Sequence, residues 1–453
     1  MAKIKQSYVC NNCNYITPKW LGKCPECNEW NSLVVSIEQS SAITSFKSYG
    51  QPAAQATNTY ALDDIVISNH ERLLTGIDEW DRVMGGGIMS SSLIILTGDP
   101  GIGKSTLLLT ISQKLQINYA VLYVSTEESL AQVKQRAERL QAKFTKNIKF
   151  CDIASFDAIV ATAQQLRPLI LIIDSIQNCY IEGSTSVPGS IGQLREATFR
   201  LMRLAKEQNI TIILTGHINK EGLIAGPKTM EHMVDAVFYL QGEDQWQTRI
   251  LRSVKNRFGT INELGFFEMG AKGLQEVANI NEHLIHDLTH AAGSALVAIS
   301  EGSKPLLVEL QALTVPSKMN MPQRVIAGVD HKQVMLIAAI LEKYLKIKLS
   351  MQDIFFKISA AVRMRDHGID LGIASALLSS YMQQPLPEKS LVIGNIGLTG
   401  HIKPVHNANM LVKEAERFGI KNLLIAKNQK IPKTTCTITQ FSSIYELLSL
   451  FSS

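Results

Sequence analysis

No stretch of this 453-residue chain comes near the roughly 18 uninterrupted apolar residues that a membrane-crossing helix needs. The opening residues, MAKIKQSYVCNNC, lack the apolar run of a secretory signal. Both absences set the expectation of a cytoplasmic protein with no membrane partner. Charge of one sign is also scarce: 45 Lys and Arg against 40 Asp and Glu leave a formal +5. So small an excess permits a nucleic-acid partner without arguing for one, because local basic patches decide that question. Internal repeats are lacking, and low-complexity sequence is confined to one segment. At 45% apolar and 19% charged residues, wholesale disorder is excluded. The length exceeds what one core organises, so two or three domains are expected.

Cysteine is sparse and unevenly placed. Four of the seven crowd into residues 10–27, while Cys151, Cys179 and Cys436 are scattered. In a reducing compartment that clustering favours a metal over disulfides. Cys10, Cys13, Cys24 and Cys27 follow C-x2-C-x10-C-x2-C, two knuckles that bring four thiolates around one ion and suit tetrahedral zinc. The alternative is a redox pair, which two such knuckles without a thioredoxin-like context argue against. Trp20 and Trp30 flank the second knuckle and are expected to supply the small core of the module, in preference to stacking on bases.

The chain divides by texture. Residues 1–35 read as the zinc module. Residues 36–60, rich in Ser, Ala, Gln and Thr without apolar periodicity, read as a flexible linker. Over 61–274 the apolar runs SLIILTG, AVLYVS, PLILIID and ITIILTG alternate with helical stretches, which predicts an α/β fold with a parallel sheet covered on both faces. Residues 275–453 change character again and read as a second α/β domain.

The motif LTGDPGIGKST fits G-x-x-x-x-G-K-[ST] from Gly98 to Ser105, directly after an apolar strand. Gly98, Asp99, Pro100, Gly101, Ile102, Gly103, Lys104, Ser105 and Thr106 form the expected nucleotide-binding segment. Its glycines let backbone amides curl around phosphate oxygens, and the next helix points its positive end at the same anion. Lys104 would meet the β- and γ-phosphates of ATP, and the Ser105 hydroxyl would ligate Mg2+. The strand in RPLILIIDSIQ ends at Asp174, a second candidate for the magnesium shell. AVLYVSTEES delivers Glu127 and Glu128 at another strand end, where ligands gather in open α/β sheets. Glu127 is the candidate to orient and deprotonate water; capping the following helix is the alternative. His217 ends a further strand and fits either a γ-phosphate sensor or a structural histidine. Residues 181–196 and 219–235 read as exposed loops, the latter carrying Lys220 and Lys228. Farther on, LRSVKNRFGT packs cations, an aromatic ring and a glycine together.

The ordered set YVCNNC…CPEC, GDPGIGKST, YVSTEES, IIDSIQ, GHINKEG, MEHMVD and KNRFG resembles the bacterial RadA (Sms) family of RecA-like ATPases along essentially the whole chain. The resemblance implies a hexameric ring motor of recombinational DNA repair. Such a motor binds single-stranded and branched DNA, works with a RecA-type recombinase and drives branch migration. It also implies that the signature Lys255, Asn256, Arg257, Phe258 and Gly259 serves ATP use and DNA transactions. Lys255 and Arg257 would act on the transferred phosphoryl group of a neighbouring subunit or on DNA phosphates. A solvated basic turn is the plain alternative. One departure is Thr126, where the family usually has glycine.

The C-terminal stretches GIDLGIASALLSS and GNIGLTGHIKPVHNANMLVKEAERFGI resemble the proteolytic domain of Lon proteases, which use a Ser-Lys dyad. Asp370 stands where the serine belongs and Asn409 where the lysine belongs, so peptidase activity is expected to be absent. Lys343, Lys346, Lys348, Arg363 and Arg365 form either a basic face or a solvated helix surface. Two rival functions are an ATP-regulated protease of the Lon type and an ATP switch that recruits partners without translocating.

Overall fold

The computed structural model describes residues 6–13, 15–37, 72–184, 186–217, 229–243, 246–261, 263–285, 288, 290–318, 321–358 and 367–451. Most of the expected linker at 36–60 lies outside these residues, as do Lys220, Lys228, Arg363 and Arg365. The chain divides into two compact units, the first comprising residues 1–242, 249–261 and 267–276 and the second residues 243–248, 262–266 and 277–453.

In the zinc module, β1 (Gln6–Cys10), β2 (Ile16–Thr17) and β3 (Leu33–Ile37) form an antiparallel sheet in the order β2-β1-β3. Its core is Cys10, Cys24 and Leu33, with Tyr8, Cys13 and Cys27 packed against them. Trp20 and Trp30 are not part of it: they are 54% and 69% exposed. The expectation that they form the core is therefore corrected. Four thiols converging on one point already fill so small an interior, and the indoles are left outside.

The nucleotide-binding unit opens with β4 (Arg72–Leu73), α1 (Asp78–Val83) and β5 (Ile88–Met89). Its main sheet comprises β6 (Leu93–Gly98), β7 (Val121–Ser125), β8 (Ile148–Cys151), β9 (Ile170–Asp174), β10 (Thr211–His217), β11 (Ala236–Glu243), β12 (Trp246–Asn256), β13 (Leu264–Gly270) and β14 (Gly273–Glu276). Their order is β14-β13-β12-β11-β6-β10-β9-β7-β8, with β11 through β8 parallel. Alternate residues feed two separate cores. Ile94, Leu96, Tyr123, Ile170 and Ile172 join α2 (Lys104–Leu115) on one face. Leu93, Ile95, Val124, Leu171 and Ile173 join α4 (Phe156–Leu166) and α5 (Ile191–Gln208) on the other. Burial on both faces is why these strands read as unbroken apolar runs rather than alternating ones, and each fully buried Leu or Ile contributes about 1.5–3 kcal/mol. Between β7 and β8 lies α3 (Leu130–Arg139), and α6 (Thr229–Met233) precedes β11.

The expected loop at 181–196 is shorter than its composition suggests. Helix α5 begins at Ile191, and Gln193 and Leu194 are already buried. The Gln193 amide donates to the Cys179 carbonyl and accepts from the Gly189 amide, tying the helix start down. Likewise α6 occupies part of 219–235.

The second unit holds α7 (Ile280–Ile285) and the strands β15 (Ser294–Glu301), β16 (Lys304–Pro316), β17 (Arg324–Ala327), β18 (Gln352–Ile358), β19 (Ser390–Ile393), β20 (Asn395–Ile396), β21 (Ile402–Lys403), β22 (Asn422–Ala426) and β23 (Thr437–Phe441). Seven of them form a mixed sheet, β17-β18-β16-β15-β19-β22-β23. The helices α8 (His331–Leu345), α9 (Asp370–Met382) and α10 (Ala408–Arg417) complete it, with α9 buried on all sides through Ser380.

Candidate active site

Four neighbouring strands of the first unit, β6, β10, β9 and β7, end along one edge of the sheet. From β6 the chain enters the phosphate loop at Gly98. Gly103, the last residue before α2, has φ +112°, a conformation that side-chain-bearing residues rarely adopt, and a Cβ there would lie 2.9 Å from the Met269 methyl. Lys104 opens α2 and is buried, its Nζ donating to the carbonyls of Gly98 (2.8 Å) and Asp99 (3.0 Å). Burial lowers its pKa, and the carboxylates of Asp174, Glu127 and Asp99 oppose that shift. Lys104, Ser105, Thr106, Glu127, Glu128 and Asp174 all line a cavity of about 240 Å3, together with Gly101, Gly103, Ser125 and Arg136. The sequence-predicted residues for phosphate, magnesium and water are thus brought together.

Asp174 and Glu127 are each held by hydroxyls. Asp174, at the end of β9, accepts from Tyr123 Oη at 2.9 Å and from Thr215 Oγ1 at 2.7 Å, both buried. Burial and the adjacent Asp174 charge push the Tyr123 phenol well above its ordinary pKa, so it stays a donor. Glu127 accepts from Ser175 Oγ at 2.6 Å. The helix-cap alternative for Glu127 does not hold, because Ser129 and Gln132 form a capping box at the start of α3. Glu128 pairs instead with Arg136. Sequence reasoning did not find Tyr123, Thr215, Ser175 or Arg136. His217 is placed by its backbone, paired with Gly98; its side chain lies outside the described residues.

The departure at Thr126 has a local consequence. Its hydroxyl donates to the Ser175 carbonyl at 2.7 Å and accepts from the Ser175 amide at 2.8 Å. The side chain that a glycine would lack thus fastens the end of β7 to the end of β9 beside Glu127.

The KNRFG segment lies elsewhere. The Arg257 amide donates to the Asp235 carbonyl at 3.1 Å, and the Asp235 carboxylate accepts from the amide of Leu93, the first residue of β6. The phosphate loop leaves β6 from its other end, five residues on, or about 17 Å at strand rise. Lys255 Nζ donates to the carbonyls of Glu231 (2.6 Å), His232 (3.3 Å) and Val234 (2.8 Å), closing off the end of α6. Burial and the neighbouring Arg257 charge lower its pKa. Arg257 pairs with Asp235 at 3.3 Å yet remains about half exposed. Asn256 Nδ2 donates to Met84 O, and Arg72 donates to Phe258 O. Gly259 lies so close to Gly85 that a Cβ on it would sit 3.0 Å from the Gly85 Cα.

In the zinc module the sulfurs of Cys10 and Cys27 are 3.6 Å apart, those of Cys13 and Cys24 3.5 Å, and all four lie within 4.8 Å of one another. A tetrahedron with zinc–sulfur bonds of about 2.3 Å has edges near 3.8 Å, so the four fit the ion. The thiols pull apart in acidity. Cys10 falls to about 6 despite burial, because the Ser32 hydroxyl and nearby amides stabilise its thiolate, whereas burial raises Cys13 and Cys27. Four thiolates this close require a cation between them.

In the second unit Asp370 is buried, accepting from Gln333 Nε2 at 2.7 Å and from the Ile396 amide at 3.3 Å. Asn409 lies exposed on the first turn of α10.

Comparison with known proteins accounts for this arrangement. Three family models match: an ATPase model described as KaiC over residues 73–273, a rubredoxin metal binding domain over 8–34, and subunit ChlI of Mg-chelatase over 322–429. Curated relatives match end to end. The DNA repair protein RadA of Listeria monocytogenes is 43% identical over 442 residues, covering 96% of each chain. That of Bacillus subtilis is 40% identical, covering 94% of this chain and 93% of its own. That of Aquifex aeolicus is 38% identical, covering 99% and 100%. The chain belongs to the RadA family. As a RadA protein it combines a RecA-like ATPase that uses ATP with Mg2+, a zinc ribbon that takes Zn2+, and a Lon-like C-terminal domain. Among the described residues no helix is long and apolar enough to cross a membrane.

Proposed function

We propose that this RadA protein is a DNA-dependent motor ATPase, a hexameric ring whose ATP hydrolysis drives branch migration of strand-exchange products made by a RecA-type recombinase. One observation carries the reading. KNRFG stands at the opposite edge of the sheet from its own phosphate loop, so the nucleotide it can serve is a neighbour's. Within one subunit, Lys104 and the backbone N–H groups of the loop, Pro100 excepted, would cradle the phosphates, and Ser105 and Asp174 would hold Mg2+, which supplies positive charge beside the phosphates when bound. Glu127, fixed by Ser175, takes a proton from the attacking water. Lys255 or Arg257 of the adjacent subunit meets the charge on the γ-phosphate side; contact with DNA phosphates is the other use of the same cations. Zinc module 1–35, linker 36–60, ATPase 61–274 and Lon-like scaffold 275–453 are the working parts, in a cytoplasmic protein. Asp370 and Asn409 supply neither nucleophile nor base, so the last of these parts cleaves no peptide.

The test is mixing. Lys104→Ala and Lys255→Ala proteins, each inactive alone, should regain up to about a quarter of wild-type DNA-stimulated turnover when co-assembled, since an intact site then forms wherever a good loop faces a good signature. No recovery, or a nucleotide-bound monomer on sizing, refutes the composite site. Turnover that ignores added oligonucleotide refutes the motor.

A further inference from the structure

The exposed indoles of the zinc module form a built surface. Trp20 and Trp30 converge on Gly22: a Cβ placed there would lie 3.8 Å from an atom of each indole, so the two rings sit side by side over the glycine. Lys23 pairs with Trp30 across a β-bridge, and its Nζ stands 5.8 Å from the Trp30 ring centroid. The Asn31 amide donates to the Gly22 carbonyl, fixing the two strands of this loop against each other. Cys24 and Cys27 would tie the same loop to a bound zinc ion, which would hold the rings in place.

We propose that Trp20 and Trp30 form a stacking site for unpaired bases of single-stranded DNA on the zinc module. The inference rests on the DNA-binding reading given above. Two large flat rings left in water by a domain too small to bury them offer their faces to another flat group, and every base has one. Lys23 stands over the Trp30 ring and Lys19 precedes Trp20 in sequence, while Glu29 precedes Trp30 and Glu26 lies within the second knuckle. That mixed charge is poor for tracking a phosphate backbone, so the binding energy comes from base faces. Paired bases already stack on each other, which makes single strands the ligand and duplex a poor one.

The experiment uses the full chain and a 5-iododeoxyuridine-substituted single-stranded oligonucleotide. Ultraviolet irradiation followed by peptide mapping should place cross-links at Trp20 or Trp30. The double variant Trp20→Ala/Trp30→Ala, with its zinc content confirmed, should bind the oligonucleotide about tenfold or more weakly. The loss should be of similar size at low and high salt, because no phosphate contact is removed. The Trp20→Phe/Trp30→Phe protein should recover much of it, and duplex affinity should not change. Wild-type affinity in the alanine double variant, or cross-links confined to residues beyond 72, overturns the proposal. So does a variant that keeps oligonucleotide binding and loses recombinase binding, which assigns the indoles to a protein partner. A wild-type chain that binds no oligonucleotide removes the DNA-binding reading as well; the other overturning results leave it standing.

Discussion

Thr126 and Ser175 bind each other twice, the Thr126 hydroxyl donating to the Ser175 carbonyl and accepting from its amide, while the Ser175 side chain donates to Glu127. The orientation of the proposed general base thus depends on a link between two strand ends rather than on the glutamate alone. A hydrogen bond to a charged group contributes about 1.5–3 kcal/mol. Ser175→Ala should therefore lower kcat about tenfold or more with nucleotide affinity retained. Thr126→Val, which loses both bonds, should act in the same direction, and Thr126→Ser should restore turnover. Steady-state ATPase assays beside nucleotide-binding titrations check this.

Tyr123 offers a second test. Tyr123→Phe removes one of two donors to a buried carboxylate. The expected outcome is a stability loss of about 1–2 kcal/mol and a changed magnesium dependence of turnover, read by thermal unfolding and by Mg2+ titration.

Metal removal should separate the parts. A strong zinc chelator should release one ion per chain and unfold the ribbon, whose core is mostly its own thiols. The ATPase unit has two large apolar cores of its own and should keep its unfolding transition. Zinc release measured with a chromogenic indicator, alongside calorimetry, gives the answer.

Gly259→Ala should destabilise by about 1–3 kcal/mol through overpacking, because the new methyl would meet Asn256 Nδ2 at 2.9 Å and Gly85 Cα at 3.0 Å. A lowered melting temperature with an unaltered zinc content is the expected result.

Acid sensitivity follows from Asp157, whose hydrogen bond from Arg200 holds its carboxyl below the ordinary value. A depressed carboxylate contributes stability that is complete above its unfolded value, about pH 4, and is lost as the pH falls through the folded one. Asp157→Asn should flatten the stability profile below about pH 4 and leave its slope at neutral pH unchanged.

The parts of this protein that were legible in its sequence are those where chemistry is local. The phosphate loop, the aspartate closing an apolar run and the paired cysteine knuckles each lie within a few residues, and the alternating β and α texture follows from strands buried on both faces. Tyr123 and Thr215 stayed hidden because a hydroxyl within an apolar strand looks like any strand residue until strand order sets β7, β9 and β10 side by side. The start of α5 was masked by the glycines and proline before it, although Ser190 and the spacing of Leu194, Ala197 and Leu201 mark a helix. Trp20 and Trp30 were misplaced by a rule that suits larger cores, where no metal does the work of apolar contact.

Strand β12 touches the phosphate loop near its start, where Arg249 Nε donates to the Ile102 carbonyl, and ends in KNRFG. About 20 Å of one strand therefore separates the contact with the phosphate loop at Arg249 from Lys255. In the ring proposed above, that single strand would tie the loop holding one triphosphate to the cations offered to the next.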